Sequence, residues 1–337
     1  MDIQEVRKLA RQRFDGACRL CPVCDGRVCA GEVPGMGGLG TGSAFRNNVE
    51  ALAEKRLNLR TIHDVCQPQL RCRVLGLDLT FPVLAAPIGG AAMNMKAALT
   101  EEEYTAAVIQ GCRQAGVVGM TGDGPNPGIF AAGLAAFAAA PGLGIPVIKP
   151  RENDRIIELA ETAARAGAPA FGIDIDAAAL VNMTNAGQPV GPKTVADLRY
   201  INQHTSIPFV VKGIMTPDEA ENCLEAGVDA IVVSNHGGRA LDHTPGTAEV
   251  LPYIAEIVNR RLTIFVDGGV RNGVDVLKML ALGADAVLVG RPVTQGAVGG
   301  GADGVALVLN KLAAELRAAM VLTGVADVGD VPAEVLW

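Results

Sequence analysis

No run of basic residues interrupts this sequence. Its 29 Lys and Arg against 36 Asp and Glu leave a net charge of −7 over 337 residues, so the electrostatic footprint of a duplex or an anionic membrane is missing. Nor is any apolar stretch long enough to span a bilayer, and the start, MDIQEVRKLARQRFDGACRL, is charged and lacks an apolar signal core. A soluble, cytoplasmic protein is expected, with neither nucleic acid nor membrane as partner. Aromatics are scarce: 4% of residues, with three Tyr and one Trp, in a chain that is 49% hydrophobic and has 41 Gly. That balance implies tight turns and closely packed helices, as in α/β proteins, and the length suffices for a substantial core. Eight Cys in a chain of this size do not demand disulfides; in a reducing compartment they are thiols or metal ligands.

What the sequence has is a repeated unit. From Phe81 onward a short apolar run rich in β-branched residues is followed by a polar or glycine turn and then an amphipathic stretch. The runs are FPVLAAP (81–87), GVVGMTG (116–122), IPVIKP (145–150), AFGIDID (170–176), IPFVVKG (207–213), AIVVSNHG (230–237), LTIFVDGGV (262–270) and AVLVGRP (286–292). Continuous apolar strands separated by helices indicate a parallel sheet covered on its outer face. Thr216-Pro217-Asp218-Glu219 reads as a capping box with proline at the first helical position, and Gly227 closes that helix. DVLKMLALGADA ends likewise at Gly283. Eight such units predict an α/β fold of the (β/α)8 TIM-barrel type. The competing doubly wound sheet would want a glycine-rich phosphate turn after its first strand, and APIGGAAM matches that poorly. The expected division is one domain: a cysteine-rich, helical N-terminal segment (1–70), the barrel (71–325) and a tail (326–337).

Chemistry in such barrels sits at the C-terminal ends of the strands. Those ends carry Pro87, Ile88, Gly89, Gly90, Thr121, Gly122, Asp123, Lys149, Asp174, Asp176, Lys212, Ser234 to Arg239, Asp267 to Arg271, and Gly290 with Arg291. DGGVRNG and VGRP, after the seventh and eighth strands, resemble a phosphate grip built from glycine-freed N–H groups and an arginine. Taken alone, the glycines could be tight turns and Asp267 a carboxylate fixing its own loop by backbone hydrogen bonds.

From Lys193 to Gly324, through LRYINQHTSIPFVVKGIMTPDEAENCLEAGVDAIVVSNHGGRALDHTP, IFVDGGVRNGVDVLKMLALGADAVLVGRPV and LVLNKLAAELRAAMVLTG, the sequence resembles the FMN-dependent 2-hydroxy acid oxidases and dehydrogenases, the glycolate and lactate oxidase group. The resemblance implies FMN as cofactor and a small 2-hydroxy acid as substrate, oxidised to the 2-oxo acid. It places Lys212 beside the flavin N1 and C2 oxygen, where a fixed cation stabilises charge arriving on reduction. It puts Ser234 on the ring system and assigns Asp267, Gly268, Gly269, Arg271, Gly290 and Arg291 to the ribityl and phosphate groups. Pro87, Ile88, Gly89, Thr121, Lys149 and Asp174 are the other cofactor contacts it suggests. His236 would be the base, Asp176 the carboxylate orienting it, and Arg239 the clamp on the substrate carboxylate. In this reading the NHGGR glycines let backbone approach the flavin. The family's usual assembly implies a homo-oligomer, a tetramer or larger.

The first half departs from that family. Neither expected substrate tyrosine is present, Lys149 stands where a glutamine is typical, Asp174 where a threonine is, and a second substrate arginine is absent from DIDAAALVNMTNAG. Cys18, Cys21, Cys24 and Cys29 replace the tyrosine-bearing segment. They resemble the start of a ferredoxin-type run, with a different fourth spacing, and could equally be reduced thiols at the barrel mouth; no metal is assigned. This segment is expected to cap the site. Cys66, Cys72, Cys112 and Cys223 read as buried thiols, His243 as a solvated or capping residue, and the alanine-rich stretch 125–144 as a closely packed helix. Two other functions share the same residues: an FMN-dependent isomerase or reductase of the type 2 isopentenyl diphosphate isomerase kind, and a flavin-free lyase or synthase with Lys212 as Schiff base. The electron acceptor, oxygen or another, is left open.

Overall fold

Eight parallel strands close a barrel in the computed structural model, which describes residues 1–180, 183 and 185–337. A short antiparallel hairpin, β1 (Cys72–Val74) and β2 (Leu77–Leu79), precedes it. The barrel strands are β3 (Val83–Ile88), β4 (Gly119–Thr121), β5 (Gly144–Ile148), β6 (Phe171–Asp174), β7 (Phe209–Ile214), β8 (Ala230–Val233), β9 (Thr263–Val266) and β10 (Ala286–Val289). Each pairs with its neighbours in sequence, and β10 returns to β3. The expected TIM barrel is therefore the fold. All four residues of β8, AIVV, are buried, because one face fills the barrel and the other meets the helices.

The helices are α1 (Ile3–Arg13), α2 (Ser43–Glu54), α3 (Ala91–Met95), α4 (Glu101–Ala115), α5 (Pro127–Ala139), α6 (Asn153–Arg165), α7 (Val195–Gln203), α8 (Pro217–Ala226), α9 (Thr247–Val258), α10 (Gly273–Ala281) and α11 (Arg291–Thr323). Local chemistry sets their ends. At α4, Thr100 and Glu103 form a reciprocal capping box, and Gly116 stops the helix in the left-handed region. Helix α8 starts at the expected proline and stops at left-handed Gly227, but the Thr216 side chain makes no capping hydrogen bond, so the box expected there is not formed. The alanine-rich stretch contains α5, which buries its own Ile129, Phe130 and Phe137. No helix among the described residues is long and apolar enough to cross a membrane.

Burial pushes the Cys112 and Cys223 thiols up to about 12, whereas Cys66 is exposed, against expectation, and Cys72 only partly buried. Residues 14–42, between α1 and α2, contain neither helix nor strand. This long segment is nonetheless pinned to the barrel's C-terminal rim: Leu39 N–H donates to the Gly238 carbonyl at 2.8 Å.

Candidate active site

Strand register makes the first half of the site. Asp174 and Lys212 are register partners at the C-terminal ends of β6 and β7, so two charges 38 positions apart in the chain become neighbours. Lys212 Nζ donates to Ser234 Oγ at 2.9 Å and lies 3.7 Å from both Asp174 Oδ1 and Asp267 Oδ2. Lys149 Nζ reaches Asp174 Oδ2 at 2.5 Å. Burial pushes Asp174 up, but the charges of His236, Lys149 and Lys212 outweigh it and hold the carboxyl well below its usual range. Lys212 is the mirror case: burial favours the neutral amine, yet Asp267, Asp176 and Asp174 together raise it above an ordinary lysine. An amine held this firmly as ammonium is a poor Schiff-base nucleophile, which argues against the lyase reading.

His236 occupies a strained position. Its φ is +60°, and Gly237 and Gly238 follow at +62° and +78°, so three successive residues are left-handed just past β8. The His236 N–H donates to Ser234 Oγ at 3.1 Å. Its ring Nδ1 lies 3.0 Å from Asp176 Oδ1 and 3.4 Å from Asp174 Oδ1. With carboxylates as acceptors, Nδ1 carries the proton, and Nε2 is left to meet a substrate. Asp176 lies beyond β6 itself, in a single 3-10 turn over Ile175–Ala177. Asp174, Asp176 and His236 are close enough to ligate an ion, but the Lys149 and Lys212 ammoniums already neutralise that carboxylate face.

Three guanidiniums complete the rim. Arg239 Nη1 donates to the Gly35 and Gly37 carbonyls at 2.7 and 2.8 Å, Arg291 to Met36 and Gly237 at 3.1 and 3.3 Å, and Arg271 to Cys24 at 3.2 Å. None of them has a carboxylate partner among the described residues. Burial, with repulsion from Arg271 and Arg239, lowers Arg291 to about 9; burial also lowers Arg239. Such a cluster is short of an anion. Arg291 also stacks on the Phe45 ring of α2, 3.8 Å from its centroid.

Helix α2 is what these turns rest on, a support that no pattern in the sequence announces. A Cβ on Gly238 would lie 2.4 Å from Phe45 N, and one on Gly269 2.4 Å from the Asn48 carbonyl. Gly238 is therefore required by its approach to α2, whereas Gly237 faces the cavity. Buried Asn48 donates to Asn235 Oδ1 at 2.8 Å and accepts from Thr247 N–H at 3.1 Å. Asp242 takes hydrogen bonds from Thr41, Ser43 and Ala44, capping α2 from the loop after β8. His243, expected to be solvated or capping, is exposed and contacts Ser43 Oγ through Nδ1 at 3.1 Å.

A cavity of about 220 Å³ opens at this rim. Of the residues identified in the sequence, Pro87, Ile88, Gly89, Lys149, Lys212, His236, Arg239, Asp267, Gly268, Gly269, Arg271, Gly290 and Arg291 line it. Thr121, Asp174, Asp176 and Ser234 do not; the last three act on lining side chains from behind. Asp267 does not fix its loop through backbone N–H groups: Oδ1 has no hydrogen-bond partner, and Oδ2 faces Lys212. Val33, Gly35 and Met36 of the N-terminal segment close the top, while none of the four clustered cysteines reaches the cavity. Sequence reasoning missed Asn94, Met95 and Met183 in the wall, and the role of Asp123, which pairs with Arg151 and accepts from Lys149 N–H at 2.9 Å. Arg151 is held in turn by Gln188 Oε1 at 2.8 Å.

Comparison with known proteins places this sequence and fold in a family. The sequence pattern of FMN-dependent dehydrogenases matches residues 35–193 and 182–337. A peroxisomal (S)-2-hydroxyacid oxidase of Arabidopsis thaliana is 31% identical over 330 residues, covering 88% of each chain. A 2-hydroxyacid oxidase of Dictyostelium discoideum is 51% identical over 141 residues, but that match spans only 42% of this chain and 36% of the relative. Among solved structures, mandelate oxidase with benzoyl-formic acid superposes with a TM-score of 0.80 at 29% identity, covering 100% of this chain and 97% of the other. By sequence and by fold, the chain belongs to the FMN-dependent dehydrogenase family.

Proposed function

We propose that this protein is an FMN-dependent oxidoreductase that oxidises a 2-hydroxy acid to the 2-oxo acid, with His236 as base. One observation carries the reading: an oriented imidazole, a buried ammonium and an unneutralised guanidinium border a single cavity. FMN fits the residues present, because the arginine cluster lacks a carboxylate partner among the described residues and the Lys212 ammonium, held in place by Asp174 and Asp267, borders the same cavity. When bound, FMN supplies the two-electron acceptor. Arg271 and Arg291 would hold its phosphate and Lys212 its ring.

His236 Nε2 takes the proton from the substrate hydroxyl, and Asp176 holds the ring and stabilises the imidazolium that results. Arg239 binds the substrate carboxylate by exchanging its carbonyl contacts to Gly35 and Gly37 for two charge-assisted bonds. Val33, Met36, Met95, Leu180 and Met183 give the cavity an apolar wall, which favours a substrate with an apolar substituent over glycolate. The relatives support the class: one of them is an L-lactate oxidase of Lactobacillus jensenii, 32% identical over 85% of this chain.

The test is an absorption spectrum of the purified protein, then mixing with a panel of 2-hydroxy acids without oxygen. Flavin bands that bleach with at least one of them are expected. Flavin that none of them bleaches would favour the isomerase or reductase, and protein that takes up no FMN would remove the reading. The cytoplasm is proposed as the location on the strength of eight free thiols; cell fractionation checks it. A homo-oligomer is proposed from Tyr253 and Ile257, exposed on one face of α9; sedimentation of the purified chain decides it.

A further inference from the structure

The four clustered cysteines are not explained by the active site. Cys18, Cys21, Cys24 and Cys29 are free thiols, and all four line a second, smaller cavity under the N-terminal segment. Among the described residues, only Met36 and Arg291 border both this cavity and the first. The spacing, C-x2-C-x2-C-x4-C, brings four soft ligands from twelve residues of chain to one place. The segment carrying them runs from 14 to 42 without a helix or strand, a length that in a compact domain calls for a function or a staple. Its backbone is already wound around the cavity, with Leu20 left-handed at φ +49° and its carbonyl held by Arg7 at 2.8 Å and Arg11 at 3.2 Å.

The spread of the sulfurs separates the candidate ligands. A single tetrahedral ion with bonds of about 2.3 Å holds its sulfurs about 3.8 Å apart. No three of these thiols lie within 4.8 Å of one another, so one ion would have to draw the loop inward. A cluster that places a different iron at each thiolate keeps them apart. Charge agrees: four thiolates on a cluster make an anionic group, and the cavity is bordered by Arg291, with Arg271 gripping the Cys24 carbonyl.

We propose that Cys18, Cys21, Cys24 and Cys29 ligate one iron–sulfur cluster of the four-iron class. At this place it also holds the roof of the active site, because the same segment supplies the carbonyls of Gly35, Met36 and Gly37 to Arg239 and Arg291.

The full chain, purified without oxygen and reconstituted with ferrous iron and sulfide, is assayed for iron, acid-labile sulfide and zinc, and by electron paramagnetic resonance after dithionite. About four iron and four sulfide per chain are expected. In Cys21→Ser/Cys24→Ser both should fall at least tenfold, while Cys66→Ser, which changes an exposed thiol outside the cavity, keeps them. Stoichiometric zinc, the absence of iron and sulfide after reconstitution, or iron retained in the double variant would each overturn the assignment. The wild-type analysis stands even if the double variant does not fold.

Discussion

Replacing Arg291 with methionine sets two effects of opposite sign against each other. In the protein without FMN, the guanidinium is buried beside two others and brought down to about 9. That fall from an ordinary arginine corresponds to roughly 5 kcal/mol against the charged form. Acting the other way are its bonds to the Met36 and Gly237 carbonyls and its stacking on Phe45. Charged hydrogen bonds contribute about 1.5–3 kcal/mol each and a desolvated stack about 2 kcal/mol. The stabilising side equals or modestly exceeds the other, so Arg291→Met should destabilise the apoprotein by no more than about 3 kcal/mol. FMN, however, loses a buried phosphate partner, a change of about 2–5 kcal/mol. Its Kd should rise between about thirty-fold and a few thousand-fold. Thermal denaturation with and without FMN, together with a fluorescence titration of the apoprotein, reads both quantities. An apoprotein that loses about 5 kcal/mol or more would make Arg291 a structural residue, and an unchanged Kd would take it out of the phosphate site.

His236→Ala should retain FMN but slow anaerobic bleaching by 2-hydroxy acids by about a hundred-fold or more, as expected for a lost general base; normal bleaching removes His236 from that role. Asp242→Ala removes the cap on α2 and should cost about 1–2 kcal/mol in chemical denaturation near neutral pH. Burial opposes its charge, but Thr41, Ser43 and the N–H groups of Ala44 and His243 hold Asp242 below its usual range. The difference from wild type should therefore be full above about pH 4 and shrink steadily as pH falls toward the lowered folded value; a difference no smaller at about pH 2 than at about pH 4 contradicts this. Gly238→Ala would press a Cβ to 2.4 Å from Phe45 N at φ +78° and should destabilise by about 3 kcal/mol or more. Gly237→Ala meets only the tip of Arg291 at 3.0 Å and should be milder; equal effects would show that the α2 contact is not what requires glycine.

Much of the site was legible because a parallel barrel collects its strand ends on one rim. Once eight apolar runs were counted, Lys149, Lys212, His236 and the two glycine–arginine turns had to share that rim. Periodicity did not say which groups face the cavity. Ser234 and Asp174 stand behind it, and Asp267 leaves Oδ1 without a partner rather than tying down its own loop. Arg239 was legible as a cation, but its capture by the Gly35 and Gly37 carbonyls was not.

By itself the sequence determined the barrel, the order of its strands and the charges at their ends, since these follow from apolar period, turn residues and short-range capping. Only the tertiary structure decided that α2 supports the turns after β8 and β9, that the segment expected to cap the site does so through Val33, Gly35 and Met36 rather than its cysteines, and that four cysteines enclose a cavity of their own. The reason is physical. Asn48 meets Asn235 across 187 positions and Arg291 meets Met36 across 255, and contacts that distant leave no local pattern to read.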